Sequence, residues 1–124
     1  MSQEKIPHRA VGVNRSVLCC RFWTNGSSAP ATVYGKEVYS VAHTATGKWT
    51  ITFNDGAKRV VGIATALGLA TPAPNGLSAQ IDNEGDGSRL AVVVSYHNGS
   101  ALADIAANAD NWISVVVEVE QEGS

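Results

Sequence analysis

The chain has 124 residues, 44% of them hydrophobic and 16% charged, and a net charge of −2. That length fits one domain with a core of its own, and the balance excludes disordered, collagen-like and disulfide-stapled classes. The small negative charge creates no field that would draw the chain onto nucleic acid or an anionic membrane, so neither is expected as a partner.

Residues 1–14 are polar, contain Pro7 and show no period. They read as a flexible N-terminal arm, followed by a single domain over 15–124. The opening lacks the apolar core of a secretory signal peptide, and no run approaches the ~18 apolar residues of a membrane-spanning helix. RSVLCCRFW, residues 15–23, reads as a strand buried on both faces. Its neighbours Cys19 and Cys20 point to opposite faces of a strand, which makes a bridge between them strained. Both read as free thiols in a reducing compartment, packing as small hydrophobes.

Asn25-Gly26 is a turn signal, and a short strand, ATVYG, follows Pro30. VYSVAHT (38–44) is the next strand. Thr46-Gly47 turns it into KWTITFN, where Trp49, Ile51 and Phe53 share one side and Lys48, Thr50, Thr52 and Asn54 the other. Asp55-Gly56 turns the chain again into RVVGIATAL (59–67). GLATPAPNG (68–76) is a surface loop, LSAQID a short strand, and NEGDGS a polar turn. RLAVVVSYH (89–97) is a strand that ends at Asn98-Gly99. SALADIAANAD fits either one short helix or an extended connection. NWISVVVEVE is the last strand. About eight short strands with turn signals every 8–12 residues predict an all-β chain, an antiparallel β-sandwich of jelly-roll-like type.

Catalytic and metal chemistry find little footing. His8, His43 and His97 each stand alone, without a second ligand at zinc spacing. Residues 82–87 begin like a calcium loop, but Val93 stands where the closing bidentate Glu belongs. Cys19 or Cys20 with His97 and Asp104 makes a conceivable triad, yet no local motif supports it. No serine sits in a nucleophile elbow, and neither a phosphate-binding loop nor a dinucleotide fingerprint is present. The chain reads as a non-enzyme without metal or other cofactor. Three tryptophans, Trp23, Trp49 and Trp112, raise sugar stacking as a further possibility, with core packing as the simpler account of Trp49.

RLAVVVSYH and NWISVVVEVE carry apolar residues on both strand faces for part of their length. A chain this short has room for one sandwich core, so the surplus predicts burial against another subunit. Val93, Trp112 and Val116 are the expected interface residues.

The stretches "YSVAHTATGKWTITFND" and "AVVVSYHNGSALADIAANADNWISVVVEVE" resemble a group of small virion structural proteins of tailed bacteriophages. His43, Thr44, Thr46, Gly47, Trp49, Thr50, Ile51, Thr52 and Phe53 carry the likeness, and Asp104 and Asp110 stand where late loop acids fall. The hairpin is also similar to that of trimeric C1q- and tumour-necrosis-factor-like jelly rolls. The resemblance implies a head-associated protein, a capsid decoration or cement protein that meets the major capsid protein and itself as a homotrimer. Such a protein is made in the bacterial host cytoplasm and resides in the virion. The arm is then the candidate clamp, with Lys5, His8 and Arg9 for charge and Ile6 and Val11 as apolar anchors. The alternative is a trimeric receptor- or glycan-binding head domain of a phage fibre or spike.

Overall fold

The computed structural model describes residues 14–72, 76–85 and 88–121. Eight strands follow in chain order: β1 (Asn14–Asn25), β2 (Ser28–Tyr34), β3 (Val38–Ala45), β4 (Lys48–Phe53), β5 (Arg59–Gly68), β6 (Gly76–Asn83), β7 (Ala91–His97) and β8 (Trp112–Gln121). They form two four-stranded sheets, ordered β2-β1-β8-β5 and β3-β4-β7-β6. Every neighbouring pair is antiparallel. The chain is therefore an all-β antiparallel sandwich, as the alternating sequence pattern predicts, and no helix occurs among the described residues.

Alternation decides which side chains meet between the sheets. Phe22 on β1, Trp49, Ile51 and Phe53 on β4, Val92 and Val94 on β7, and the odd residues 113–119 of β8 are fully buried. Phe22 and Trp49 touch across the sandwich with ring centroids 5.9 Å apart. Trp49 is thus a core residue. Burying a large side chain of this kind contributes about 1.5–3 kcal/mol.

The turns divide into two kinds. Asn25-Gly26 and Thr46-Gly47 close hairpins that join β1 to β2 and β3 to β4, and β6 and β7 pair antiparallel as consecutive strands. Asp55-Gly56 does something else. It carries the chain from one sheet to the other, because β4 pairs with β3 and β7 while β5 pairs with β8. The crossing is held by backbone bonds to a distant segment, Leu90 donating to the Asp55 carbonyl and Ala57 to that of Glu84.

One expectation changes. The first strand is not buried on both faces. Cys20, Phe22 and Thr24 face the core, whereas Val17 is 58% exposed and Cys19 is exposed. β1 has a neighbour at each edge, but no element of the described chain covers its outer face. Of the two readings open for the 98–111 segment, the extended connection is the one the structure shows. Several of its polar groups are met by other elements: Gly26 donates to the Ile105 carbonyl, and Thr24 Oγ1 to that of Ala106. Ala70 donates to Asn111 Oδ1 at 2.8 Å, while Asn111 Nδ2 bonds within the segment, to the Ala106 carbonyl at 2.9 Å. Ile105 is anchored in the core. Bonds made to partners outside the segment are unavailable to a helix of its own.

Candidate functional site

His43, Gly47 and Trp49 lie at the tip of the β3–β4 hairpin. Asp104 reaches it from the extended segment. Its Oδ1 accepts the Gly47 amide at 2.7 Å and His43 Nε2 at 2.6 Å. The Gly47 carbonyl accepts the amide of Tyr96 at 2.8 Å, so the tip is held from two sides. Gly47 has φ near +70°, and a side chain there would lie 2.7 Å from the backbone nitrogen of Ala103. Both the left-handed backbone and the crowding demand glycine. The His43 ring stands edge-on to Trp49 with centroids 5.7 Å apart. The Trp49 indole N–H is buried without a partner in the described structure.

Burial pushes the Asp104 carboxyl upward in pKa. The Gly47 amide, the His43 hydrogen bond and the charge of His43 together outweigh it and hold the group below the ordinary value. The arrangement fixes a loop onto a hairpin. It does not assemble the conceivable triad: Asp104 engages His43, not His97. His97 Nδ1 accepts the Gly99 amide at its own strand end. Cys19 lies on the outer face of the opposite sheet, and burial with the neighbouring Cys19 pushes the Cys20 thiol up to about 12.

The three expected interface residues separate. Val93 is half-buried on the outer face of the β3-β4-β7-β6 sheet, between Thr50 and Gln80. Val116 and Trp112 lie on the outer face of the other sheet. Val116 stands between Cys19 and Ala64, and Trp112 between Trp23 and Gly68. One flat contact cannot hold all three.

Trp112 is also engaged within the chain. A Cβ on Gly68 would fall 2.3 Å from its Nε1 and Cε2 atoms, so the ring lies directly over that glycine. The Arg21 guanidinium sits 3.6 Å from the ring centroid, a contact attractive through the ring quadrupole. Trp112 is thereby held between Gly68 and Arg21. Beside this stack an open groove is lined by Cys19, Arg21, Trp23, Tyr34, Ser114 and Val116. Sequence reasoning missed Arg21, Tyr34 and Gly68 here. Only the pairing register of β1, β8 and β5 joins them, and no local motif marks it.

The arm residues Lys5, Ile6, His8, Arg9 and Val11 lie outside the described residues. In the acidic turn, Glu84 Oε2 accepts the Val60 amide at 2.8 Å, and Asn83 Oδ1 accepts the Gly85 amide. These two groups act as caps for backbone donors. Among the described residues no three His, Cys, Asp or Glu side chains are grouped to hold a metal ion, and no helix is long and apolar enough to cross a membrane. No family model, curated protein or solved structure matches the chain.

Proposed function

We propose that this chain is a capsid decoration, or cement, protein of a tailed bacteriophage. It binds the outside of the assembled head through the major capsid protein and stiffens the shell. It acts as a homotrimer with jelly-roll-like winding, resides in the virion and uses no cofactor or catalytic group. The arm, through Lys5, Ile6, His8, Arg9 and Val11, is the proposed clamp onto the capsid. An arm without its own core gains order by binding, at a cost of roughly 1–2 kcal/mol per residue. Three arms on one trimer offset that cost through effective concentration.

The observation that supports this reading is the convergence at the hairpin tip. His43, Gly47 and Trp49 lie on one hairpin, and Asp104, 57 residues beyond Gly47, joins them in one connected cluster of residues that carry the resemblance. The test adds purified full-length chain to heads that lack it and measures co-sedimentation and heat resistance of the shell. Binding with a raised shell melting temperature is the expected result. A chain that binds no head overturns the proposal. Deletion of residues 2–12 with undiminished binding would remove the arm from it.

A receptor- or glycan-binding head domain is the rival. Sugar stacking needs an open aromatic face. Trp49 is buried in the core and Trp112 is covered by Gly68 and Arg21. Trp23 remains, with its indole N–H donating to the Ala109 carbonyl at 3.1 Å. Saturable glycan binding abolished by Trp23→Ala would favour the rival.

A further inference from the structure

The outer face of the β2-β1-β8-β5 sheet has a pattern that the cement reading leaves unused. Its middle row is small and apolar: Cys19, Val116 and Ala64 lie side by side on β1, β8 and β5. Two residues to one side on β1 stands Arg21. Among the described residues it has no carboxylate within ion-pair distance. Two residues to the other side on β8 stands Glu118, whose Arg15 partner is 3.4 Å away with both side chains 46% exposed. Val17, beside Glu118, and Tyr34, beside Arg21, are among the most exposed large hydrophobic side chains of the chain. A small apolar centre with charged and aromatic flanks is the layout of an interface.

We propose that this face is a twofold contact with a second copy of the chain, its axis running across the strands over the Cys19–Val116 row. A twofold contact is self-complementary, so each patch must match itself after rotation. Rotation about this axis reverses strand direction and lays β1 over the partner copy's β1. Arg21 of one copy then meets the end of the face that carries Glu118 of the other, and the reverse pair forms by symmetry. The Trp23–Trp112 end overlies the end that carries Arg15 and Glu120, which sets Arg15 opposite the Trp23 ring, the Trp112 face being already taken by Arg21. The small central side chains permit the ~10 Å approach of two stacked sheets. A rotation axis along the strands would keep like rows together and place Arg21 beside Arg21, which is repulsive. The contact stands independently of the capsid reading; it is not the contact of the proposed homotrimer, for which the Val93 face on the opposite sheet stays free.

Three measurements test it. Cys19 of the two copies lies at the axis, within reach of a short bis-maleimide, while the buried Cys20 does not compete. Wild type at micromolar concentration gives covalent dimers, and Cys19→Ser gives none. Arg21→Glu and Glu118→Arg each place like charges across the axis and weaken association by about a hundredfold or more by light scattering. Mixing the two variants one to one restores opposite charges at both contacts. The acid introduced by Arg21→Glu faces the base introduced by Glu118→Arg, and the native Arg21 of the second chain faces the native Glu118 of the first. The mixture therefore regains wild-type association. An effect confined to each chain's own fold would not be rescued by mixing. Near-UV circular dichroism checks that both single variants stay folded. If either does not, Arg21→Gln and Glu118→Gln replace the pair, and the expected signature is association that weakens as salt rises in wild type and loses that dependence in both variants. The proposal is overturned if wild type is monomeric at about 100 μM, an order-of-magnitude ceiling for a specific contact. It is equally overturned if the mixture stays dissociated. A monomer whose Cys19 resists a monofunctional maleimide would mean that another segment of the same chain covers the face, and would overturn it too.

Discussion

Asp104 Oδ1 accepts the amide of Gly47 at 2.7 Å across 57 residues of chain. That one bond ties the tip of the β3–β4 hairpin to the extended segment between β7 and β8. It also anchors the residues on which the proposed kinship rests.

Removing the carboxylate strands the Gly47 amide and the His43 N–H together. Asp104→Ala is expected to lower unfolding free energy by about 1–3 kcal/mol, the cost of leaving partly buried donors unmet. Asp104→Asn keeps an acceptor for Gly47 and costs less. The pH dependence follows from the depressed carboxyl. Its stabilising effect is complete above the unfolded carboxylate pKa of about 3.9 and is lost as pH falls through the lower folded value. The stability gap between wild type and Asp104→Asn is therefore constant from about pH 5 to 6 and closes below about pH 4. Urea titrations at each pH measure it.

Cys20 will not behave as a reactive thiol. Burial pushes it up to about 12, and the neighbouring Cys19 adds to the effect. In Cys19→Ser, Ellman's reagent at about pH 8, near the ordinary thiol pKa, should find no thiol in the folded chain and one in guanidinium. The labelling rate in native buffer should track global unfolding. Prompt native labelling would show that the β1 core face opens locally.

Two glycines on β5 should respond oppositely to the same change. A methyl on Gly68 meets the Trp112 ring at 2.3 Å, while one on Gly62 meets nothing within 4 Å. Gly68→Ala should displace the indole, shift tryptophan fluorescence and cost about 1–3 kcal/mol. Gly62→Ala should be neutral or stabilise by about 0.4–1 kcal/mol, through loss of unfolded-state freedom. Equal effects at both sites would contradict the described packing of Trp112.

Charge insertion separates the two faces of each Val-rich strand. Val93→Lys and Val116→Lys put the ammonium on outer faces and should leave the fold intact, as read by near-UV circular dichroism. Val94→Lys and Val117→Lys put it among fully buried side chains. There the cost is several kcal/mol, and the chain should be recovered insoluble.

Much of this architecture is local and was legible. A side-chain period of two needs only the residues of one strand, so KWTITF on β4 announces its buried face at Trp49, Ile51 and Phe53 without reference to the rest. Hairpins need only a turn that matches strand twist, which Asn25-Gly26 and Thr46-Gly47 supply. The Asp55-Gly56 turn looks the same in sequence and is a sheet crossing, because its partners Glu84 and Leu90 come from far along the chain. Asp104 stands in the sequence as a conceivable triad acid and as a late loop acid, but its tie to Gly47 is not legible there, since that hydrogen bond leaves no spacing signature.

Which strand faces are apolar, and where the chain must turn, could be read from the residues alone, because both follow from the geometry of a few consecutive positions. So could the surplus of apolar surface, through Val93 and Val116. Three relations needed the folded molecule. These two valines lie on opposite sides of the sandwich, Trp112 rests on Gly68 beneath Arg21, and Cys19 is exposed while Cys20 is not. Those relations are set by which strands become neighbours. Strand order depends on the total burial of both sheets, a quantity that belongs to the whole chain and is written in no single segment of it.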